Sequence, residues 1–131
     1  MLRKHILSIA ILYTIALTYA SLMRLRKLPD IGISFGDKIF HFLTYAVLAF
    51  LWAYTFSFRF KIERKKAIVF SAISSVVFGI IIEVVQGKFT VTRQTDVMDV
   101  LANTMGVIVI ATILLFKNGN YKLKNNKDLL F

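Results

Sequence analysis

Hydrophobic residues fall into four long blocks, at residues 6–23, 39–58, 67–85 and 97–116, with short polar stretches between them. None of the blocks alternates with a period of two. Each is far longer than a strand and comes near the roughly 20 residues that a helix needs to cross the hydrocarbon core of a bilayer. The pattern predicts four transmembrane α-helices, because a helix satisfies its backbone polar groups internally where no water can do so. A soluble bundle does not fit. The blocks occupy more than half of the 131 residues, and what remains is too short to cover four helices that are apolar all round. Residues 117–131, rich in Lys and Asn, predict a solvated or surface-adsorbed tail. The chain therefore reads as one all-α integral membrane domain over 1–131.

Composition agrees with this: 57% of residues are hydrophobic and 18% charged, against roughly 45–50% and a quarter in soluble domains. The absence of cysteine excludes disulfides, thiol nucleophiles and thiolate metal sites. The formal charge of +10 changes the picture only through its distribution. With both termini cytoplasmic, eleven basic residues fall inside: Arg3 and Lys4, five between Arg59 and Lys66, and four from Lys117 onward. Six fall outside, namely Arg24, Arg26, Lys27, Lys38, Lys88 and Arg93. The bias favours both termini in the cytoplasm. Charge placed at membrane surfaces meets anionic headgroups, and without a groove, motif or soluble module there is no case for a nucleic-acid partner. Arg3 and Lys4, followed by an apolar block and then Thr18-Tyr19-Ala20-Ser21, also have the outline of a cleavable signal peptide. The block is long enough to span, which favours a retained helix.

Polar residues inside such helices are costly and usually face the bundle interior, so they carry the functional information. Asp37 and Lys38 stand at the entry of the second helix, with His41 and Tyr45 following Asp37 at i+4 and i+8. Glu83 and Gln86 lie at i and i+3 near the end of the third. Asp96, Asp99, Asn103 and Gly106 run into the fourth at i, i+3, i+7 and i+10. Each set forms one helical stripe, and in a four-span topology all three meet at one membrane surface, the outer one, with Arg93 beside them. Each member also has an ordinary explanation. Asp37 and Asp96 suit helix N-termini, His41 suits hydrogen-bonded packing, and Tyr45, Trp52 and Tyr54 suit a bundle or an interface. Glu83 and Asp99 resist that treatment, since both lie about one turn inside their spans and need a partner such as His41, Lys38 or Arg93. Ser71, Ser75 and Gly79 make a small-residue stripe ahead of Glu83, which predicts a close contact of the third helix with the fourth and brings Glu83 toward Asn103 and Asp99.

The run Asp37-Lys38-Ile39-Phe40-His41-Phe42-Leu43-Thr44-Tyr45, then Glu83 with Gln86, then Arg93 with Asp99, Asn103 and Gly106, resembles the VanZ-like family. That family joins a DK-x-x-H-F-x-x-Y segment to E-x-x-Q and R-x(5)-D-x(3)-N-x-x-G segments. The resemblance covers about residues 28–110 and includes Leu28-Pro29 ahead of the Asp-Lys pair. The residues immediately before Arg93 depart from it, lacking the family's proline and glycine. It implies a small protein of the bacterial cytoplasmic membrane, associated with the cell envelope, whose namesake is linked to resistance to the lipoglycopeptide teicoplanin. It attaches no reaction.

Three functions compete. In the first, Asp37, Lys38, His41, Tyr45, Glu83, Gln86, Arg93, Asp99 and Asn103 bind or shield a lipid headgroup, a lipid-linked wall component or a lipoglycopeptide at the outer leaflet. In the second, His41, Glu83 and Asp99 are the catalytic residues of a membrane-embedded enzyme, by proton transfer or metal-assisted hydrolysis. In the third, the intramembrane acids relay protons in a transporter. The mixed charge of the cluster favours the first. No cofactor and no resident metal are expected, and phosphate-cradling loops, nucleophile elbows and H-E-x-x-H are missing from the sequence.

Overall fold

The computed structural model describes residues 2–23, 34–89 and 97–129, with side chains over 4–22, 36, 38–88 and 97–117. The described residues form four helices and no strand: α1 (Leu2–Met23), α2 (Ser34–Phe58), α3 (Arg64–Phe89) and α4 (Val97–Leu129). Each contains a stretch long and apolar enough to span a membrane, at Lys4–Leu22, Lys38–Phe58, Arg64–Lys88 and Val97–Lys117. The predicted blocks fall within these helices. The helices run longer because their polar ends remain helical. Helix α4 continues to Leu129, through most of the polar C-terminal segment. Adding residues to an established helix is cheap compared with nucleating a new one, and no proline interrupts 117–129.

The distribution of surfaces is the inverse of a soluble bundle. Leu12, Ile15 and Tyr19 on α1, Leu43 and Val47 on α2, Ile73 and Val77 on α3, and Leu101, Met105 and Ile108 on α4 are all exposed. Buried instead are Ser21, His41, Thr55, Ser71, Ser75, Glu83, Gln86, Asp99 and Asn103. An apolar exterior around a partly polar interior is what a lipid solvent selects and water does not.

Helix α2 is the hub and packs against the other three, while α1 docks on α2 with a smaller edge on α3. Small buried residues allow the close approach: Ala10 on α1, Ala49 and Ala53 on α2, Ala67, Ser71 and Ser75 on α3. Tyr45, Leu48, Ala49, Leu17 and Val107 make the apolar core between them. The tightest contact is at Gly106, where a Cβ would stand 2.1 Å from the Phe42 carbonyl oxygen. Only a glycine lets α4 lie against α2 there. Helix α1 is fixed by polar contacts to α2, with the Tyr13 hydroxyl donating to the Thr44 carbonyl at 2.7 Å and the Trp52 indole to the Thr14 hydroxyl at 2.9 Å.

A tight turn joins α2 to α3. Lys61 takes a left-handed φ of 55°, and the Ile62 amide donates back to the Phe56 carbonyl at 3.0 Å. The turn reverses the chain and thereby places the end of α3 beside the start of α2, where the site lies.

Candidate functional site

The polar cluster is built at the end of the bundle formed by the start of α2, the end of α3 and the start of α4. One turn of α2 supplies Lys38 and His41, α3 supplies Glu83, and the first turn of α4 supplies Asp99. The sequence places them there because i, i+3 and i+4 positions on each helix share the inward face. The carboxylate of Asp99 has no exposed surface. Its Oδ1 accepts from the Lys38 ammonium, and its Oδ2 lies 3.4 Å from His41 Nε2. Asp99 thus joins the two functional residues of α2 through its two oxygens. Glu83 and His41 are buried as well, and His41, Glu83 and Asp99 each offer a donor atom within 4.8 Å of the others. Lys38 alone of the four keeps appreciable exposure, 27% of its side chain.

One turn deeper stands a second polar layer. Gly79 of α3 faces Tyr45 and Asn103: a Cβ there would lie 3.0 Å from the Tyr45 ring and 3.1 Å from Asn103 Nδ2. Tyr45 is 1% exposed and Asn103 2%. The Tyr45 hydroxyl, both polar atoms of the Asn103 amide and the Ser75 hydroxyl have no hydrogen-bond partner among the described residues. A buried polar group without a partner costs about 1–3 kcal/mol, so this layer is suited to ordered water or a bound polar group. Of the small-residue stripe, Gly79 faces Asn103 of α4, and Glu83 one turn on comes within 4.8 Å of Asp99.

Gln86 has a different role from its neighbours in the motif. It is buried, and its amide donates to the Ser21 carbonyl of α1 at 2.7 Å. This bond closes α1 onto the site end of the bundle. Ser21 is the residue sequence reasoning missed as a structural partner. A backbone carbonyl carries no side-chain signature, and the two residues are 65 positions apart. Arg93 and Asp96 lie outside the described residues, as does the side chain of Asp37.

What the cluster can do follows from its composition. Two buried acids, an imidazole and a lysine at the edge can hold a basic group in place, bind a group carrying phosphate through Lys38, or take a divalent cation through His41, Glu83 and Asp99. The last possibility corresponds to the metal-assisted alternative raised from the sequence, which expected no resident metal. Carboxylate and imidazole donors suit zinc or manganese, with ligand atoms about 2.0–2.2 Å from a zinc ion.

Four helices long and apolar enough to span a membrane surround a buried polar cluster, the outline of a small membrane protein. The sequence matches the VanZ/LLP1 family model over residues 4–118, and the chain belongs to the VanZ-like family. No curated protein and no solved structure matches it. The family match includes α1, the helix whose start has the outline of a signal peptide, and in the fold Ile6, Ala10 and Leu17 of that helix are buried against the bundle.

Proposed function

We propose that this VanZ-like protein lies in the bacterial cytoplasmic membrane with both termini in the cytoplasm, and that its polar cluster binds a phosphate-bearing or zwitterionic group at the outer leaflet. The ligand class is a lipid headgroup or a lipid-linked wall component, and a lipoglycopeptide inserting beside the cluster meets the same surface. The orientation rests on the excess of Lys and Arg assigned to the cytoplasmic side. The observation that carries the binding reading is the position of Lys38, partly exposed and bonded to an Asp99 that has no exposed surface. The buried residues aim the ammonium, and the ammonium meets the ligand. Mass spectrometry of lipids retained by the purified protein tests this. Wild type should keep a phosphate-bearing envelope lipid that Lys38→Met loses, and equal retention by the two proteins would refute the reading.

A second reading has one observation in its favour. The mutual proximity of donor atoms on His41, Glu83 and Asp99 fits a metal-dependent membrane enzyme in which the ion activates water for hydrolysis. Elemental analysis separates the two. The enzyme reading requires a divalent ion in near-stoichiometric amount that disappears in Glu83→Gln, whereas the binding reading requires none.

A further inference from the structure

At the end of the bundle opposite Lys38, the helices leave a groove of about 320 Å³, near the lower limit of roughly 300 Å³ for ligand pockets. Its walls are Ala53, Tyr54 and Phe58 from α2, Ile68 from α3 and Leu114 from α4, and its rim carries Arg64 and Lys117. The chain between Lys38 and Phe58 is helical throughout, so at 1.5 Å per residue the groove, from Ala53 to Phe58, lies about 22–30 Å from Lys38, approaching one hydrocarbon thickness. The groove therefore opens at the other headgroup level.

Here the geometry points to a binding site for one anionic phospholipid, its phosphate between Arg64 and Lys117 and the upper part of one acyl chain along Leu114 and Ile68. Three observations support it. The lining is mostly carbon, which suits a chain and not a soluble anion. The two cations stand on different helices along the groove, where one phosphate can lie between them. The surrounding turn is also strongly basic, with Arg59, Lys61, Lys65 and Lys66 exposed and Glu63 the one acid, a field that concentrates anionic lipid at this end. Tyr54 and Phe58 stack along the wall with ring centroids 5.3 Å apart, and the Arg64 guanidinium lies 5.9 Å from the Phe58 ring centre. Both aromatic rings and the arginine are thus preset at interface depth. The site is separate from the Lys38 cluster and does not depend on the function proposed for it.

Full-length protein in detergent, titrated with dioleoyl phosphatidylglycerol or dioleoyl phosphatidylcholine and read by native mass spectrometry, tests the assignment. One phosphatidylglycerol should bind about 10- to 30-fold more tightly than phosphatidylcholine, the value expected for two basic contacts at a membrane surface. R64Q/K117Q should lose most of that preference, while K61Q/K65Q, with the same change in charge outside the groove, should keep most of it. Leu114→Phe, which fills the groove and leaves every charge in place, should lower occupancy by both lipids. Several outcomes would overturn the site: no preference for phosphatidylglycerol in wild type, equal loss in the two charge variants, full occupancy in Leu114→Phe, or binding of glycerol 3-phosphate as tight as that of the lipid.

Discussion

Lys38 and Asp99 form an ion pair between α2 and α4 in which the acid has no exposed surface and the base is 27% exposed. The two residues are 61 positions apart, so the pair can form only after α2 and α4 have docked. Breaking a buried pair by removing one partner costs about 3–5 kcal/mol, because the other charge is left desolvated. Lys38→Met should therefore destabilise the protein more than K38M/D99N does. A double-mutant cycle on thermal unfolding in detergent should give a coupling of about 1–3 kcal/mol. Additive effects would show that the pair does not hold the helices.

The contact of Gly106 with Phe42 makes a sharper structural prediction. A Cβ at Gly106 would stand 2.1 Å from a backbone oxygen, which can move only if α4 moves. Gly106→Ala should cost about 3 kcal/mol or more by overpacking. Gly79→Ala should cost less, since what it meets at 3.0–3.1 Å are the side chains of Tyr45 and Asn103. Folded protein recovered from membranes, measured by size-exclusion chromatography, should fall in that order.

At the α2–α3 turn the direction is reversed. Lys61 holds a left-handed φ of 55°, a conformation that costs a residue with a Cβ about 1–2 kcal/mol relative to its preferred regions. Glycine removes that strain but adds freedom to the unfolded chain. Lys61→Gly should accordingly raise stability by about 0.5–1 kcal/mol, and Lys61→Val should lower it. A fall in melting temperature for the glycine variant would refute the account of the turn.

Orientation can be read directly, since the chain has no cysteine of its own. Gly36 in the first turn of α2 and Phe60 in the turn just after α2 are both exposed. In intact cells, an impermeant thiol reagent should label Gly36→Cys and leave Phe60→Cys unlabelled. The opposite pattern would move the Lys38 cluster to the inner leaflet.

The helices and most of the site were legible in the sequence for a physical reason. Lipid imposes block lengths that have few alternative readings, and the cost of a buried charge makes Glu83 and Asp99 conspicuous among apolar neighbours. Helical spacing then put His41 and Tyr45 on one face, and both are buried as that spacing implies. Backbone relations left no such trace. The Ser21 carbonyl that receives Gln86 and the Phe42 carbonyl beneath Gly106 belong to residues that were not read as partners. Helix α4 outran its apolar block because polar residues extend a helix without any change of hydrophobic period. Arg64 and Lys117 entered the sequence reading only as charges on one side of the membrane, since a groove between three helices has no linear signature.

The central claim, that the Lys38 cluster binds and does not catalyse, is tested most directly by comparing His41→Gln with Asp99→Asn in cells. His41 lies 3.4 Å from Asp99 through Nε2, a contact that a glutamine amide can partly reproduce. An amide cannot exchange a proton near neutral pH as an imidazole does. Asp99→Asn removes the negative charge that holds Lys38 and offers that ammonium only a neutral acceptor. With membrane abundance equal to wild type, His41→Gln should keep a measurable share of the tolerance to a lipoglycopeptide or other envelope phenotype that the wild type confers, and Asp99→Asn should lose nearly all of it. Equal and complete loss in both variants would contradict binding and favour proton transfer through His41.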